Sequence, residues 1–474
     1  MAKQNEPTAA ALRKLPSVDS LLRDPDLESS IPELGRTVVA NSIRRSVEEI
    51  REQISAEKAA RLDEGAIRQR IIADVKGKLR TAAEPYYRRV VNATGIILHT
   101  GLGRAVLPAA ALRQIHDELS GYSLLQADAE TGKRSKRDER IEQLLQQLIG
   151  AEAAAVVNNN AAATSIVLNT VARGKEVIVS RGQLVEIGGS FRLPEVMTFS
   201  GARLVEVGTT NKTHARDYVN AITENTAAIL RVHPSNYRIQ GFTSEVPLDE
   251  LVEIAHKHKL TMIDDVGAGA LIDFSQFGFE PEPTLAESIR QGADIVTAST
   301  DKLIGAAQGG IILGRAVWIE AIRKNQFARI VRVGKLTLAV LEATLKLFLD
   351  ESLALSEVPT LRMLRRDASE IARHAKRLAS QVSKAVLGVA VSTLPGSSQM
   401  GSGSLPTQNL PTTLVALHPE KLGAEALAKR LRQYRTPVFA RIQNDQVLLD
   451  PRALLSGDDK IVVEALTEIF GRRD

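Results

Sequence analysis

An aspartate and a lysine each lie close to the end of an apolar, strand-like run, and together they could hold a pyridine-based cofactor. Asp265 lies in "TMIDDVGAG" (261–269), and Lys302 follows "GADIVTAST" (292–300), with one helical stretch between the two runs. Parallel sheets bind ligands at the carboxyl ends of their strands, so both side chains are expected at one sheet edge. Pyridoxal phosphate needs a lysine for its aldehyde and an acid for its ring nitrogen. A plain Asp–Lys pair on a surface loop fits these two runs equally well.

A third run, "AAAVVNNNAAATSIVL" (153–168), favours the cofactor. A strand ends, three asparagines follow, and a helix of small residues begins. The free N–H groups and the dipole of a helix N-terminus suit a phosphate, and Asn159, Asn160 and Ala161 would donate to it. N-capping by asparagine is the simpler alternative, but three asparagines are more than a cap needs. "GLGRAV" (101–106) lacks the third glycine of a dinucleotide fingerprint and receives no role.

The elements that must position these residues alternate between strands and helices. Helical stretches such as "AAATSIVLNTVARG" and "LDELVEIAHKHK" lie between several of the strand-like runs. This alternation predicts an α/β fold with a mostly parallel sheet that is covered on both faces. The predicted strands are "AAAVVNN", "EVIVS", "RLVEV", "AAILRVH", "TMIDDV", "DIVTAST" and "GGIILG".

The two ends of the chain have different patterns. Residues 1–85 show apolar residues at three- and four-residue spacing, which predicts short helices. Their basic residues could form solvated helix faces or a surface for RNA phosphates. These residues are Arg44, Arg45, Arg51, Arg61, Arg68, Arg70, Lys76, Lys78 and Arg80. Beyond residue 345, two long helical runs precede the strand-like "TTLVALHP" and "QVLLDPRAL". We therefore predict a helical domain (1–85), a large α/β domain (86–345) and a small α+β domain (346–474).

The composition excludes several classes of site. The chain of 474 residues is 44% hydrophobic and 25% charged, with a net charge of +5, which is ordinary for a soluble globular protein. It has no cysteine, which excludes disulfides, thiolate metal sites and a cysteine nucleophile. No metal site is expected. The start has no apolar signal region, and no apolar run reaches the ~18 residues of a membrane span, so we expect a cytoplasmic protein without membrane contact.

Many ordered motifs resemble the bacterial selenocysteine synthase family, the L-seryl-tRNA(Sec) selenium transferases. They include "LPSVDSLLRDP", "NATGIILHTGLGRA", "VVNNNAAA", "EVGTTNKTH" and "ENTAAILRVHPSNYRIQGF". The resemblance implies the pyridoxal-phosphate fold of type I, as in aspartate aminotransferase, with a large sheet domain and a small C-terminal domain. It also implies a helical N-terminal domain that binds tRNA, and a homo-oligomer, typically a homodecamer.

The same resemblance implies roles for individual residues. Lys302 and Asp265 match the cofactor lysine and the pyridinium aspartate, and Asp301 matches a residue considered important for catalysis. A pocket for selenophosphate is implied at Thr209, Thr210, Asn236, Arg329 and Arg332, with the catalytic loop residue Arg137 and its neighbour Arg134. Guanidinium groups and hydroxyls suit a phosphate-like dianion. Arg441 looks like the carboxylate-binding arginine of this fold, but it is not assigned, because the seryl carboxylate is an ester.

The implied reaction converts L-seryl-tRNA(Sec) to L-selenocysteinyl-tRNA(Sec) through a dehydroalanyl intermediate on pyridoxal phosphate, with selenophosphate as the selenium donor. A related pyridoxal-phosphate lyase for a small amino acid or amino sugar acid is the alternative, and a tRNA-binding protein without catalysis is a third possibility. Several residues near the inferred site depart from the family pattern. Ala306 and Ala307 replace glycine and proline, and Gln183 replaces glutamate. The others are Ser135, Lys136, Ala268 and Ala270.

Overall fold

The computed structural model describes residues 12–55, 63–188, 191–234, 236–405 and 408–471. These residues form two compact units, the first ending at Arg89 and the second beginning at Val90. Within the described ranges, no helix is both long and apolar enough to cross a bilayer. The proposed division of the second unit at residue 345 stays a prediction.

Every regular element in the described part of the first unit is a helix, as its apolar spacing predicts. The two longest helices pack against each other through residues such as Ile43, Ile67 and Ile71, all fully buried. Asp63 caps the last helix by accepting from the N–H of Ala66 at 2.7 Å. The helices are α1 (Val18–Leu22), α2 (Pro25–Glu28), α3 (Ile31–Leu34), α4 (Arg36–Ser55) and α5 (Glu64–Ala83).

The second unit contains a seven-stranded sheet and a five-stranded sheet. Its first strand, β1 (Val91–Ala93), belongs to the smaller sheet. The strands that follow are β2 (Ala153–Val157), β3 (Glu176–Ser180), β4 (Glu186–Ile187), β5 (Phe191–Arg192), β6 (Arg203–Val207), β7 (Thr226–Val232), β8 (Thr261–Gly267), β9 (Ile295–Ser299) and β10 (Gly310–Gly314). β4 and β5 form a separate antiparallel pair.

The seven-stranded sheet has the order β2-β10-β9-β8-β7-β3-β6. All seven predicted strands are present, and the prediction of a mostly parallel sheet is confirmed. β10 runs antiparallel to both β2 and β9, whereas the neighbours from β9 to β6 are parallel. The six remaining strands therefore point the same way, and the segments that follow them meet at one carboxyl edge.

Helices and apolar residues cover both faces of this sheet. In β10, Ile311 and Leu313 join one buried cluster, whereas Ile312 between them joins another. This alternation is expected for a strand with two covered faces. The helices are α6 (Ala109–Glu118), α7 (Glu139–Ile149), α8 (Asn160–Ala172), α9 (Leu193–Ser200), α10 (Ala215–Ala221), α11 (Leu248–Lys257), α12 (Leu285–Arg290), α13 (Ala316–Lys324), α14 (Phe327–Ile330) and α15 (Lys335–Leu347).

The five-stranded sheet joins the start of the second unit to its end. β1 pairs in parallel with β13, although residues 91–93 fall within the predicted large domain. The sheet order is β1-β13-β14-β12-β11. Its other strands are β11 (Val389–Ser398), β12 (Leu410–Pro419), β13 (Val438–Gln443) and β14 (Gln446–Leu449). The helices of this part are α16 (Glu351–Glu357), α17 (Pro359–Arg365), α18 (Ala368–Ala385), α19 (Ala424–Gln433) and α20 (Asp458–Phe470).

Candidate active site

Lys302 lies at the carboxyl edge of the seven-stranded sheet, three residues beyond β9. It is 6% exposed, and among the described residues its Nζ makes no hydrogen bond. Burial lowers the pKa of the Lys302 ammonium, and the Arg104 guanidinium acts in the same direction, whereas Asp301 and other nearby acids oppose the shift. A buried amine with a lowered pKa is more often neutral at neutral pH. It can therefore act as a nucleophile or as a base.

Asp301, directly before the lysine, is held by an arginine that the sequence reasoning missed. Nη1 of Arg104 donates to Oδ2 of Asp301 at 2.7 Å, and only 8% of the Asp301 side chain is exposed. Arg104 has φ of 61°, a left-handed conformation that is uncommon for residues other than glycine and that concentrates at functional sites. This residue lies in "GLGRAV" and in the family motif "NATGIILHTGLGRA", neither of which indicates a role for it. Its left-handed backbone and its partner 197 positions away are visible only in the fold.

Asp265 lies near the end of β8, on the strand adjacent to β9. It is 4% exposed, and it accepts hydrogen bonds from Nδ2 of Asn160 (2.8 Å) and Oγ1 of Thr164 (3.0 Å). Burial raises the pKa of the Asp265 carboxyl, although these hydrogen bonds and Lys302 oppose the shift. No cation of the described chain lies within ion-pair distance of Asp265. A protonated ring nitrogen would supply the missing positive charge.

The predicted phosphate seat has the expected geometry. Asn159 caps α8 by accepting from the N–H of Ala162 at 2.8 Å, which leaves the N–H groups of Asn160 and Ala161 without an acceptor in the described chain. Gly310 of β10 faces this turn, and a Cβ there would lie 2.3 Å from the backbone oxygen of Asn159. Side-chain oxygen Oδ1 of Asn160 is buried without a partner in the described residues. These open groups, together with Lys302 and Asp265, fit pyridoxal phosphate.

The predicted selenophosphate residues fall into separate places. Thr209 and Thr210 are exposed in a cavity of about 430 Å³, whose wall also includes Gln183, His233 and Glu282. Asn236 donates to the backbone oxygen of Glu186 at 2.9 Å, and its own Oδ1 is buried without a partner within the described chain. The three arginines do not line this cavity within the described chain.

Arg332 lies beside the strand that leads into the phosphate seat. Arg332 forms a backbone bridge with Val157 at the end of β2, and both Arg329 and Arg332 are exposed without an ion pair among the described residues. Arg137 donates to the backbone oxygen of Val333 at 3.2 Å. Burial lowers the pKa of Arg137, and the nearby positive charge of Arg332 adds to this effect. Each of these two adjacent positive charges raises the electrostatic energy of the other, and a bound anion would stabilise both.

Three of the departures from the family pattern have defined contacts in the structure. Ala306 is 1% exposed, and its N–H donates to the backbone oxygen of Thr300 at 2.9 Å. The backbone oxygen of Ala307 accepts from Oγ1 of Thr300 at 2.6 Å, so Thr300 closes the loop around Lys302. Gln183 accepts from the N–H of Val232 at 3.1 Å through its side-chain oxygen, a role that a glutamate oxygen could also fill.

Arg441 is engaged within the small sheet. Its guanidinium donates to Oδ2 of Asp450 and to the backbone oxygen of Ser397, both at 2.9 Å. This geometry agrees with the decision not to assign it to a substrate carboxylate. His233 and Glu282, on the wall of the threonine cavity, were also missed. His233 lies inside the family motif "ENTAAILRVHPSNYRIQGF", but Glu282 is 49 positions away and outside every quoted motif, so the sequence does not indicate their contact.

Comparison with known proteins identifies the family. The family described as "L-seryl-tRNA selenium transferase" matches residues 90–455, and "Selenocysteine synthase N terminal" matches residues 12–51. An L-seryl-tRNA(Sec) selenium transferase of Alkaliphilus oremlandii is 44% identical over 96% of this chain and 98% of its own length. One from Solidesulfovibrio magneticus is 46% identical over 96% and 97%, respectively.

A solved structure supports the fold class. D-Glucosaminate-6-phosphate ammonia-lyase superposes with a TM-score of 0.55 at 21% identity, covering 81% of this chain and 95% of the lyase. At this identity the likeness bears on the fold alone. The predicted fold class and the pyridoxal-phosphate cofactor are confirmed by the family and this architecture together. The resemblance that the sequence motifs indicated is therefore confirmed, and the chain belongs to the L-seryl-tRNA(Sec) selenium transferase family.

Proposed function

We propose that this chain converts L-seryl-tRNA(Sec) to L-selenocysteinyl-tRNA(Sec), with selenophosphate as the selenium donor. The observation that carries the proposal is the location of two buried groups at one sheet edge: the Lys302 amine, which makes no hydrogen bond in the described chain, and the Asp265 carboxylate on the adjacent strand. The relatives that share 44–46% of their residues with this chain over nearly its full length carry the name of this activity. A cytoplasmic location fits a substrate of translation.

The residues of the edge would hold pyridoxal phosphate as follows. Lys302 would bind its aldehyde carbon, Asp265 would face its ring nitrogen, and Asn159, Asn160 and Ala161 would surround its phosphate. When bound, the cofactor supplies an electron sink for negative charge at the substrate α-carbon. Asp265 keeps that sink effective, because a buried carboxylate favours a protonated ring nitrogen.

Lys302 would remove the α-proton of the seryl group. Burial and the Arg104 guanidinium lower the pKa of Lys302, which favours the neutral amine that a general base needs. Asp301 would be a positioning residue, because Arg104 fixes its carboxylate beside the lysine. The Arg104 guanidinium also offsets the negative charge that Asp301 places near the Lys302 amine.

The exposed arginines and threonines would bind the donor anion. Arg329 and Arg332 have no acid partner in the described chain, so their charges are available for a phosphate. Arg137 already lies close enough to Arg332 for the two charges to interact. Thr209 and Thr210 line a separate cavity, so their part in donor binding, which the family resemblance implies, stays a prediction.

We infer that RNA phosphates contact the first half of α4, not α5. Most basic residues of α5 are neutralised within the unit: Arg68 pairs with Asp24 at 2.7 Å, and Lys76 pairs with Asp26 at 2.6 Å. Lys78 contacts Glu49 and Asp74. Arg36, Arg44 and Arg45 are exposed and, within the described residues, make no ion pair. Arg61 lies outside the described residues.

A charge-reversal pair tests this surface. The triple variant Arg36→Glu, Arg44→Glu, Arg45→Glu should bind tRNA more weakly, and its log K against log [salt] should lose about 0.9 of slope per lost contact. The matched control reverses Arg68, Lys76 and Lys78, with the same change in net charge. Equal weakening in both variants would contradict the assignment to α4.

We also propose a homo-oligomer, with a homodecamer as the expected form. Large apolar side chains stand in solvent on the isolated chain, among them Tyr122, Leu124 (71% exposed) and Ile330 (73% exposed). Such groups commonly mark protein interfaces. Light scattering should give a mass near ten times the 51.4 kDa of one chain. A monomer at micromolar concentration would contradict this proposal.

The direct test is conversion of seryl-tRNA(Sec) in vitro with selenophosphate and the purified protein. We expect selenocysteinyl-tRNA(Sec) from the native enzyme and none from Lys302→Ala. Ammonia release from a free amino acid or amino sugar acid, without conversion of seryl-tRNA(Sec), would favour the lyase instead.

A further inference from the structure

His233 is placed at the carboxyl edge by its backbone. It is the first residue after β7, and its N–H donates to the backbone oxygen of Asp265 at 2.9 Å. The preceding residue, Val232, lies opposite Asp265 in the strand register and donates its own N–H to Gln183. The imidazole is therefore carried by rigid backbone next to the aspartate that faces the cofactor ring.

Glu282 approaches His233 from a constrained loop. Pro281 and Pro283 flank it, and each fixes its own φ. Thr284 bridges to Ala270, which ties the loop to the segment after β8. The glutamate is therefore presented with little conformational freedom.

The carboxylate of Glu282 is buried and lacks its full set of partners. The residue is 7% exposed, and its Oε1 has no hydrogen bond within the described chain. The same oxygen lies 3.3 Å from Nε2 of His233, inside ion-pair distance but outside hydrogen-bond geometry. Such catalytic contacts are often long before substrate binds. With Nε2 directed to the glutamate, Nδ1 is the nitrogen left for a second proton transfer.

Both side chains line the cavity of about 430 Å³ that contains Thr209 and Thr210. Of the other charged groups on its wall, Glu280 pairs with Arg238, and Lys212 and Glu245 complete the set. Glu282 also belongs to the acids whose field acts on Lys302. The pair therefore lines this cavity, and its carboxylate lies close enough to the Lys302 amine to act on it electrostatically.

We propose that His233 is the acid that protonates the departing β-hydroxyl of the seryl group, and that Glu282 is its positioning residue. This rests on the proposed function. Lys302 takes the α-proton, the Cβ–O bond breaks with both electrons on oxygen, and that oxygen takes the proton from Nδ1 of His233. Water leaves, and His233 becomes neutral. Hydroxide is a poor leaving group, so its departure needs an acid. Lys302 would then act as the base and His233 as the acid.

The first experiment separates the two proton transfers in His233→Asn. Exchange of the seryl α-proton with deuterated solvent should stay within about threefold of native, because Lys302 is intact, while hydroxyl loss should fall by about 100- to 10,000-fold. A seryl analogue with chloride in place of hydroxyl needs no proton, so its elimination should return to the native rate. Equal loss of exchange and elimination, or failure of the chloride to rescue, would overturn the proposal, with Lys302 then protonating the hydroxyl itself.

A second readout does not depend on turnover. In cofactor-free protein, proton NMR should show a downfield imidazole N–H signal that disappears in both His233→Asn and Glu282→Gln. Glu280→Gln removes a carboxylate from the same cavity without touching His233, so it should keep the signal. A native protein without this signal, or one that keeps it in Glu282→Gln, would refute the pairing. If native enzyme does not convert seryl-tRNA(Sec) at all, the proposed function is wrong. The NMR result then still tests the pairing of His233 with Glu282 independently.

Discussion

Two buried aspartates of the second unit have opposite environments. Asp450, in the five-stranded sheet region, is fully buried and accepts from Ser398 (2.8 Å), Thr412 (2.8 Å) and the guanidinium of Arg441 (2.9 Å). Asp265, at the edge of the seven-stranded sheet, receives hydrogen bonds only from neutral groups and has no ion pair in the described chain. The Asp450 carboxylate has its positive partner within the protein, whereas the Asp265 carboxylate has none in the described chain and would gain one from a bound cofactor.

The same contrast holds for the cations. Arg452 is 2% exposed and donates to the backbone oxygens of Met363, Arg366 and Pro411 at 2.7 to 3.1 Å. Lys302 is almost as buried, yet its amine donates to no group in the described residues. Burying a charge without a partner costs stability, so such a site is retained where function requires it. Incomplete pairing, more than burial, therefore distinguishes the reactive edge from the structural one.

Removal of the Lys302 amine, which has no hydrogen-bond partner in the described residues, should have the largest effect on function. Lys302→Ala should lower turnover by at least about 1,000-fold, because a general base alone contributes about 100- to 10,000-fold and the covalent anchor is lost as well. The visible absorbance of the bound cofactor should also disappear. Urea unfolding of the cofactor-free variant should be no easier than that of the native chain. Lys335→Ala, on the exposed start of α15, is the control. Easier unfolding would show that Lys302 has a structural role.

Removal of the Asp450 carboxylate, which is paired with Arg441, should mainly affect stability. Asp450→Ala leaves Arg441 without its charge partner, which should lower the free energy of unfolding by about 3 kcal/mol, the low end for a broken buried pair because Arg441 is 29% exposed. The urea midpoint measures this change, with the exposed Glu253→Ala as control. Cofactor absorbance per folded molecule should be retained. An unchanged midpoint would contradict the contrast between the two aspartates.

The smallest effect should be a pH dependence at Asp265. Because burial raises its pKa in the folded chain, the native state holds its proton at pH values where the unfolded state has lost it. This group therefore makes cofactor-free protein less stable as pH rises from the ordinary pKa of an aspartate, 3.8, through the raised pKa of the folded state. Asp265→Asn should stabilise cofactor-free protein by about 1 kcal/mol or more at neutral pH. The gain should vanish at acidic pH. A difference in stability between Asp265→Asn and the native chain that does not change with pH would contradict the assignment of an unpaired, buried carboxylate to Asp265.

The common edge could be predicted because Asp265 lies near the end of one strand and Lys302 follows the end of the next. Both strands are strongly apolar runs, and strand–helix alternation is enough to bring their ends to one edge. All seven predicted strands of the large sheet are present. The antiparallel direction of β10 was not predicted. Hydrophobic pattern alone does not show that residues 300–309 connect β9 to the adjacent β10 without a crossover helix.

Other parts of the site depend on contacts between distant positions. Arg104 and Asp301 are separated by 197 positions, and His233 meets Glu282 across 49 positions. No local periodicity reports such contacts. β1 has three residues and gains its conformation from β13, so propensity could not identify it. The placement of the selenophosphate residues remains a prediction that only a bound anion can test.

The parallel pairing of β1 with β13 has a consequence for synthesis on the ribosome. Residues 91–93 emerge well before residues 438–440, to which they must bind. The nascent chain therefore holds this segment unpaired while more than three hundred residues are translated, at about 5–20 residues per second. The seven-stranded sheet can form from contiguous sequence in the meantime. Final closure of the smaller sheet is thus a late event, set by the end of translation.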